Sequence, residues 1–184
     1  MLLTWSRIAR RIRVPLGFLF AALYLWLARP TPLFTALSLL LVIPGIWLRA
    51  YASGYVKKNA ELTVTGPYAH TRNPLYLGSM LIAFGFALAS RSIWITLTLA
   101  VLFALIYVPV IRSEEAFLRS KFAGFDAYTA RVPRLLPRLT PAPTRAPDSG
   151  SFSPDLYKKH REYNALIGAV AIYAALALRI YFGR

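Results

Sequence analysis

Two short segments hold most of the residues whose types and spacing could do chemistry. One runs Glu61-Leu62-Thr63-Val64-Thr65-Gly66-Pro67-Tyr68-Ala69-His70-Thr71-Arg72-Asn73-Pro74-Leu75-Tyr76-Leu77-Gly78. Its Gly66-Pro67 pair signals a turn. Tyr68, Arg72, Asn73 and Tyr76 then crowd the start of an apolar helix that opens at Pro74, a first-turn position where no N–H is needed. A helix start offers free N–H groups and a positive dipole end, suited to a carboxylate or phosphate. The other segment is Arg112-Ser113-Glu114-Glu115, followed by Phe117-Leu118, Tyr128 and Arg131-Val132-Pro133-Arg134-Leu135-Leu136-Pro137. Its paired carboxylates sit where a second apolar helix ends, and burying even one is costly unless it meets a cation. Together the segments supply positive, negative and aromatic groups, which a zwitterionic ligand with aromatic and cationic parts would satisfy. Singly, each has a plainer reading as a turn, a solvated helix end or an aromatic belt.

The elements that must position these residues are apolar helices. Of the 184 residues 57% are hydrophobic and only 16% charged, with a formal net charge of +15, too little charge for the surface of a soluble domain. Several stretches approach the roughly 20 residues that span a bilayer. The pattern predicts an all-α integral membrane protein, a bundle of about five transmembrane helices with a ligand pocket on the cytoplasmic face. The first stretch, Val14–Leu27, follows the basic run Arg7, Arg10, Arg11, Arg13; without a small-residue cleavage pattern after it, it reads as a retained helix rather than a signal peptide. The second runs from about Pro32 to Tyr55, with Pro44-Gly45 expected to kink it. The third runs Pro74–Ser90 and the fourth from about Ile93 to Ile111, a tight hairpin across Arg91-Ser92. Arg112–Arg131 reads as an amphipathic helix leaving the membrane or lying at its surface. Val132–Leu139 should be an extended strap, Thr140–Pro154 a flexible linker, and Tyr163–Phe182 a last apolar helix.

Charge sets the expected orientation. Lysines and arginines concentrate at the N-terminus, between the second and third helices, and between the fourth and fifth, and all seven acidic residues fall on that side. The positive-inside rule then places the N-terminus inside and the C-terminus outside, which five spans satisfy. Because the basic residues flank apolar spans, membrane lipid headgroups rather than nucleic acid are the expected partner. Cysteine is absent and His70 and His160 are far apart, so no metal site is expected. The chain divides into 1–60 (basic segment and two helices), 61–138 (a core with the two motifs) and 139–184 (linker and last helix).

Gly66-Pro67-Tyr68 with Thr71-Arg72-Asn73-Pro74-Leu75-Tyr76-Leu77-Gly78 resembles the signature of the isoprenylcysteine carboxyl methyltransferase family, part of a wider group of membrane methyltransferases that includes phospholipid N-methyltransferases. Glu114-Glu115, Phe117-Leu118, Tyr128 and Arg131–Pro137 follow in the order that family shows, so the resemblance covers roughly Glu61–Pro137. It implies S-adenosylmethionine as methyl donor, held by Glu61, Leu62, Thr63, Val64, Tyr68, Asn73, Pro74, Leu75, Tyr76 and Glu114, with Glu115 as the close alternative to Glu114. It implies in-line methyl transfer to a nucleophile on a lipophilic substrate, with Arg72, Arg112 and Glu115 as candidate catalytic residues. Asn73 stands where many members carry histidine, and Val110 where the eukaryotic enzymes carry a substrate-contacting arginine.

Without a GxGxxG after a strand, a soluble-type Rossmann methyltransferase is excluded. The other readings are a phospholipid or small-amine N-methyltransferase, an NADPH-dependent reductase of the sterol-reductase type, and a non-enzymatic membrane scaffold.

Overall fold

The structure, a computed structural model, describes Pro15 and residues 17–57, 60–143 and 150–183. The basic run Arg7–Arg13, the start of the first stretch at Val14, and Lys58, Arg145, Asp148 and Arg184 lie outside the described residues. Helices dominate, and no strand occurs among the described residues. They are α1 (Gly17–Leu27), α2 (Pro32–Ser53), α3 (Pro74–Ser90), α4 (Ile93–Lys121), α5 (Phe125–Thr129), α6 (Pro154–His160) and α7 (Tyr163–Tyr181). By length and composition α2, α4 and α7 can each cross a membrane, while α1 and α3 are shorter apolar helices.

Close packing of α2 on α3 organises the bundle. A Cβ on Gly45 would lie 2.8 Å from the Gly78 carbonyl oxygen, and one on Gly78 would lie 2.8 Å from that of Gly45. Without side chains at the crossing the two backbones approach, the arrangement that apolar helices use when no hydrophobic force drives them together. α2 runs unbroken through Pro44, and Gly45 serves this approach. Around the seam, Tyr24 of α1, Val42 of α2, Phe86 of α3, Ile95 of α4 and Leu176 of α7 form the main apolar cluster. Two polar bonds tie it: Tyr24 donates to the Phe86 carbonyl at 2.9 Å, and the Ser38 and Tyr173 hydroxyls meet at 2.7 Å.

The hairpin between α3 and α4 closes as the Arg91-Ser92 spacing predicts. Arg91 takes a left-handed conformation (φ 52°), and Ser92 caps α4 by accepting from the Ile95 N–H at 3.4 Å. Beyond Ile111 the amphipathic segment takes the first of its two expected courses, continuing the membrane helix, but it ends short of Arg131. α4 continues without interruption to Lys121, and Phe122 then turns to extended backbone. The chain resumes in α5 because Phe125 and Tyr128 turn inward against Val132, Ala142, Leu62 and Val64. The expected flexible linker is also tied at both ends. Ala142 is buried and donates to the Ala69 carbonyl at 2.9 Å. Phe152 stacks on Tyr51 at 6.1 Å, and α6, which the sequence pattern did not suggest, sets the His160 ring on the Ser53 carbonyl at 3.0 Å. Residues 144–149 lie outside the described residues.

The α2–α3 seam makes a testable statement. On Gly85, a Cβ would sit 2.5 Å from Val42 Cγ2 and 3.0 Å from the Ser38 carbonyl oxygen. Gly85→Leu is expected to destabilise the protein by about 1–3 kcal/mol through overpacking. Denaturant titration in detergent, followed by helical circular dichroism, reads that loss.

Candidate functional site

The ends of α2, α3, α4 and α7 that carry polar groups lie together. The Gly66-Pro67-Tyr68 turn is a single tight helical turn, Gly66–Ala69, with Gly66 at φ 57° and the Tyr55 ring where a Cβ would stand. That left-handed conformation and contact require glycine. The turn buries Tyr68 and leads through Thr71-Arg72-Asn73 into α3.

The strap Val132–Leu139 crosses this entrance. The Arg72 N–H donates to the Pro133 carbonyl at 3.0 Å, Asn73 Nδ2 to the Arg134 carbonyl at 2.9 Å, and Thr71 Oγ1 to the Leu135 carbonyl at 3.0 Å. The Arg138 N–H donates to the His70 carbonyl at 2.9 Å, and Tyr128 donates its hydroxyl proton to the Tyr68 carbonyl at 2.7 Å. The two motifs, about 60 residues apart in sequence, are thereby one object.

At its centre is Glu115, 8% exposed. Arg72 NH1 stands 3.2 Å from Glu115 Oε1. Arg134 donates to Oε2 from Nε at 3.0 Å and has NH2 at 2.8 Å from it. A carboxylate between two guanidiniums is well compensated, and the trio keeps one surplus positive charge. The hydrogen bond to Glu115, working against desolvation, raises the Arg134 pKa above its usual value. Burial pushes the Tyr68 and Tyr128 phenols well above the usual tyrosine range, with neighbouring Tyr128 and Glu114 adding to the effect at Tyr68. Both phenols stay neutral at any physiological pH and act as polar donors, not as bases.

Glu114 and Glu115, adjacent in sequence, part on the helix: Glu115 turns inward and Glu114 is exposed, close enough to raise the Tyr68 pKa. Arg112 is exposed on α4, outside the trio. Glu61 pairs with Lys57 at 3.0 Å on an exposed surface. Leu62 and Val64 pack on the Phe125–Tyr128 cluster, so the alternation of an extended chain aims Thr63 the other way. Four buried side-chain atoms among the described residues make no hydrogen bond, and three belong here: Thr63 Oγ1, Arg72 Nε and Glu115 Oε1. Buried polar atoms without partners are rare and call for an explanation.

An apolar cavity of about 130 Å³ opens between α1, α3 and α4, lined by Phe20, Met80, Ala83, Leu99, Phe103 and Ile106. Ser79 and Tyr107 give it its polar atoms, and the Tyr107 ring meets Tyr76 edge-on at 5.6 Å. α4 widens to a π-type turn at Phe103–Tyr107, a feature frequent at functional sites. Tyr76 thus stands between the polar entrance and the apolar cavity.

Sequence reasoning missed Arg49. This α2 residue donates to Glu162 from Nε at 3.0 Å and NH2 at 2.7 Å, and to the Ser79 hydroxyl and the Leu75 carbonyl. The signal was present, because a charge inside an apolar helix is a functional candidate by default. Its partner Glu162 lies 113 positions away, and no local pattern pairs the two.

Comparison with known proteins now bears on this arrangement. Residues 45–124, which carry Arg49, the Gly-Pro-Tyr turn, Arg72 and Glu115, match the family described as phospholipid methyltransferase. The likeness is that of this segment. The cobalt-zinc-cadmium resistance protein CzcN of Cupriavidus metallidurans is 39% identical over 114 residues, 60% of this chain and 52% of that one. The nickel-cobalt-cadmium resistance protein NccN of Alcaligenes xylosoxydans xylosoxydans is 41% identical over 95 residues, 52% of this chain and 44% of that one. The chain spans about half the length of these curated relatives. No solved structure matches it. The helices and the family together describe a multi-pass membrane protein with a methyltransferase-family segment.

Removing the central carboxylate should expose its structural weight. Glu115→Gln leaves Arg72 and Arg134 facing each other without compensation. Breaking a buried pair costs about 3–5 kcal/mol, and the half-exposed Arg134 brings the expected loss to about 2–3 kcal/mol. Thermal unfolding in detergent measures it. Adding Arg134→Gln is expected to restore part of the loss.

Proposed function

We propose that this chain is an integral membrane methyltransferase that uses S-adenosylmethionine and modifies a lipophilic substrate, in the manner of the isoprenylcysteine carboxyl methyltransferases. The observation that carries the reading is the positively charged trio of Arg72, Glu115 and Arg134, with Thr63 Oγ1 and Arg72 Nε buried and without hydrogen bonds, inside a family-matched segment. A zwitterionic ligand answers this arrangement, with a carboxylate for the trio's surplus positive charge and hydroxyls for Thr63. In this reading Arg72 holds the methionyl carboxylate and Glu114, with Glu115 beside it, faces the ammonium. Glu61–Val64, Tyr68, Asn73, Pro74, Leu75 and Tyr76 form the wall around the cofactor. Bound there, the cofactor supplies a methyl group already activated by its sulfonium, so the protein's task is positioning and exclusion of water. Orientation of this kind contributes about 7–11 kcal/mol in favourable cases.

The apolar cavity between α3 and α4 takes the substrate's hydrocarbon part, entering sideways from the bilayer. Its reacting atom then stands near Tyr76 and Tyr107, whose ring faces favour nearby positive charge by about 0.5–2 kcal/mol. Arg112, on the exposed side of α4, is the candidate for steering an acidic substrate. We place five spans in the bilayer, counting the short helices α1 and α3, with the polar face and N-terminus inside by the positive-inside rule. The relatives' names attach the segment to metal resistance. We read its contribution there as a membrane modification.

Calorimetric titration of the detergent-purified protein with S-adenosylhomocysteine, and in parallel with NADPH, tests the reading. Saturable binding of S-adenosylhomocysteine alone is expected, weakened about tenfold or more in Glu114→Gln, the equivalent of about 1.4 kcal/mol. Binding of NADPH alone would move the protein to the reductases, and binding of neither by folded protein would favour the scaffold.

A further inference from the structure

The strap that crosses the site carries a second feature that the trio does not use. Leu136 is 79% exposed and Leu139 99%, the latter the most exposed large apolar residue outside the helices. Arg134 and Arg138 flank Leu136, and Leu139 follows, in a stretch bonded to the start of α3. The hydrogen bonds from Thr71, Arg72 and Asn73 fix residues 133–135 directly over the start of α3.

The length of α3 sets how deep that start lies. Its 17 residues rise about 25 Å at ~1.5 Å each. The hydrocarbon layer is about 30 Å thick. α3 turns sharply at its far end through Arg91, whose guanidinium sits over the Phe34 ring at 5.0 Å. With that charged end held at one headgroup layer, the opposite end of α3 and the strap bonded to it fall at or below the other. A segment at that depth meets lipid. Its exposed leucines match the acyl boundary and its arginines match phosphates.

We propose that the strap Val132–Leu139 is an in-plane membrane-insertion element. It places Leu136 and Leu139 among the upper acyl chains and Arg138 at the anionic headgroups of the bilayer that the helices cross, while Arg134 stays on Glu115. The inference rests on the reading that α3 and α4 span that bilayer. It makes the lipid layer part of the site's wall, because the strap that dips into it also delivers Arg134 to Glu115.

The chain has no cysteine, so single nitroxide labels report unambiguously. Labels at Leu136→Cys and Leu139→Cys, at Leu97→Cys on the exposed apolar side of α4, and at Gly124→Cys in the turn before α5 are compared in nanodiscs of phosphatidylcholine and phosphatidylglycerol. Relaxation by oxygen, which partitions into lipid, is set against relaxation by a water-soluble nickel chelate. Oxygen dominance at 136 and 139, as at 97, with the chelate dominating at 124, is the expected result. Chelate dominance at 136 and 139 while 97 remains oxygen-dominated would overturn the insertion and leave the spanning reading intact. Chelate dominance at 97 as well would overturn both.

Discussion

The structure depends on the burial of one carboxylate between two arginines. Glu115 reaches the protein interior only because Arg72 comes from the entrance of α3 and Arg134 from the strap. An ionised carboxylate left alone at that depth would cost several kcal/mol. α4, the α3 entrance and the strap must therefore arrive together or not at all. Backbone bonds from Arg72 and Arg138, the Thr71 hydroxyl and the Asn73 side-chain amide then lock the strap in register. A buried ion trio is a weak source of net stability, but it is a strong specifier of which segments meet.

A second pair works the same way one helix over. Arg49 and Glu162 join α2 to the start of α7, and Arg49 also reaches the Leu75 carbonyl and Ser79 of α3. Ser79 lines the apolar cavity. The last helix, outside the family-matched segment, is thus connected to the cavity wall through the Arg49 guanidinium as well as through the apolar cluster. Such a link gives α7 a physical route to influence the site without touching a ligand.

Much of this was legible in the sequence because apolar length and turn chemistry are local. Pro74 and Ser90 bound α3 as expected, since proline fits a first turn and Arg91-Ser92 leaves room only for a reversal. The Gly66 turn was readable for the same reason. The break at Phe122 was not, because it follows from Phe125 and Tyr128 turning inward on Leu62, Val64 and Ala142, contacts that the amphipathic pattern does not contain. Nor could spacing distinguish Glu114 from Glu115, for their difference is about 100° of helix rotation and the position of arginines far along the chain. The Arg49–Glu162 pair and the anchoring of Phe152 on Tyr51 belong to the same class of long-range contact. Resemblance supplied the order of the two motifs, and the ion trio is the physical reason they travel together.

A methyl group moving onto something lipophilic is the reaction that the site is built for in this reading. Membranes containing the chain, and matched membranes containing Arg72→Ala at equal folded amount, are incubated with methyl-tritiated S-adenosylmethionine and extracted with organic solvent. Time-dependent tritium in the organic phase from the unaltered chain, at least tenfold above the Arg72→Ala membranes, is the predicted result. Label confined to the aqueous phase for both, with the protein shown to be folded and to bind S-adenosylhomocysteine, would contradict a lipophilic acceptor and the site described for it.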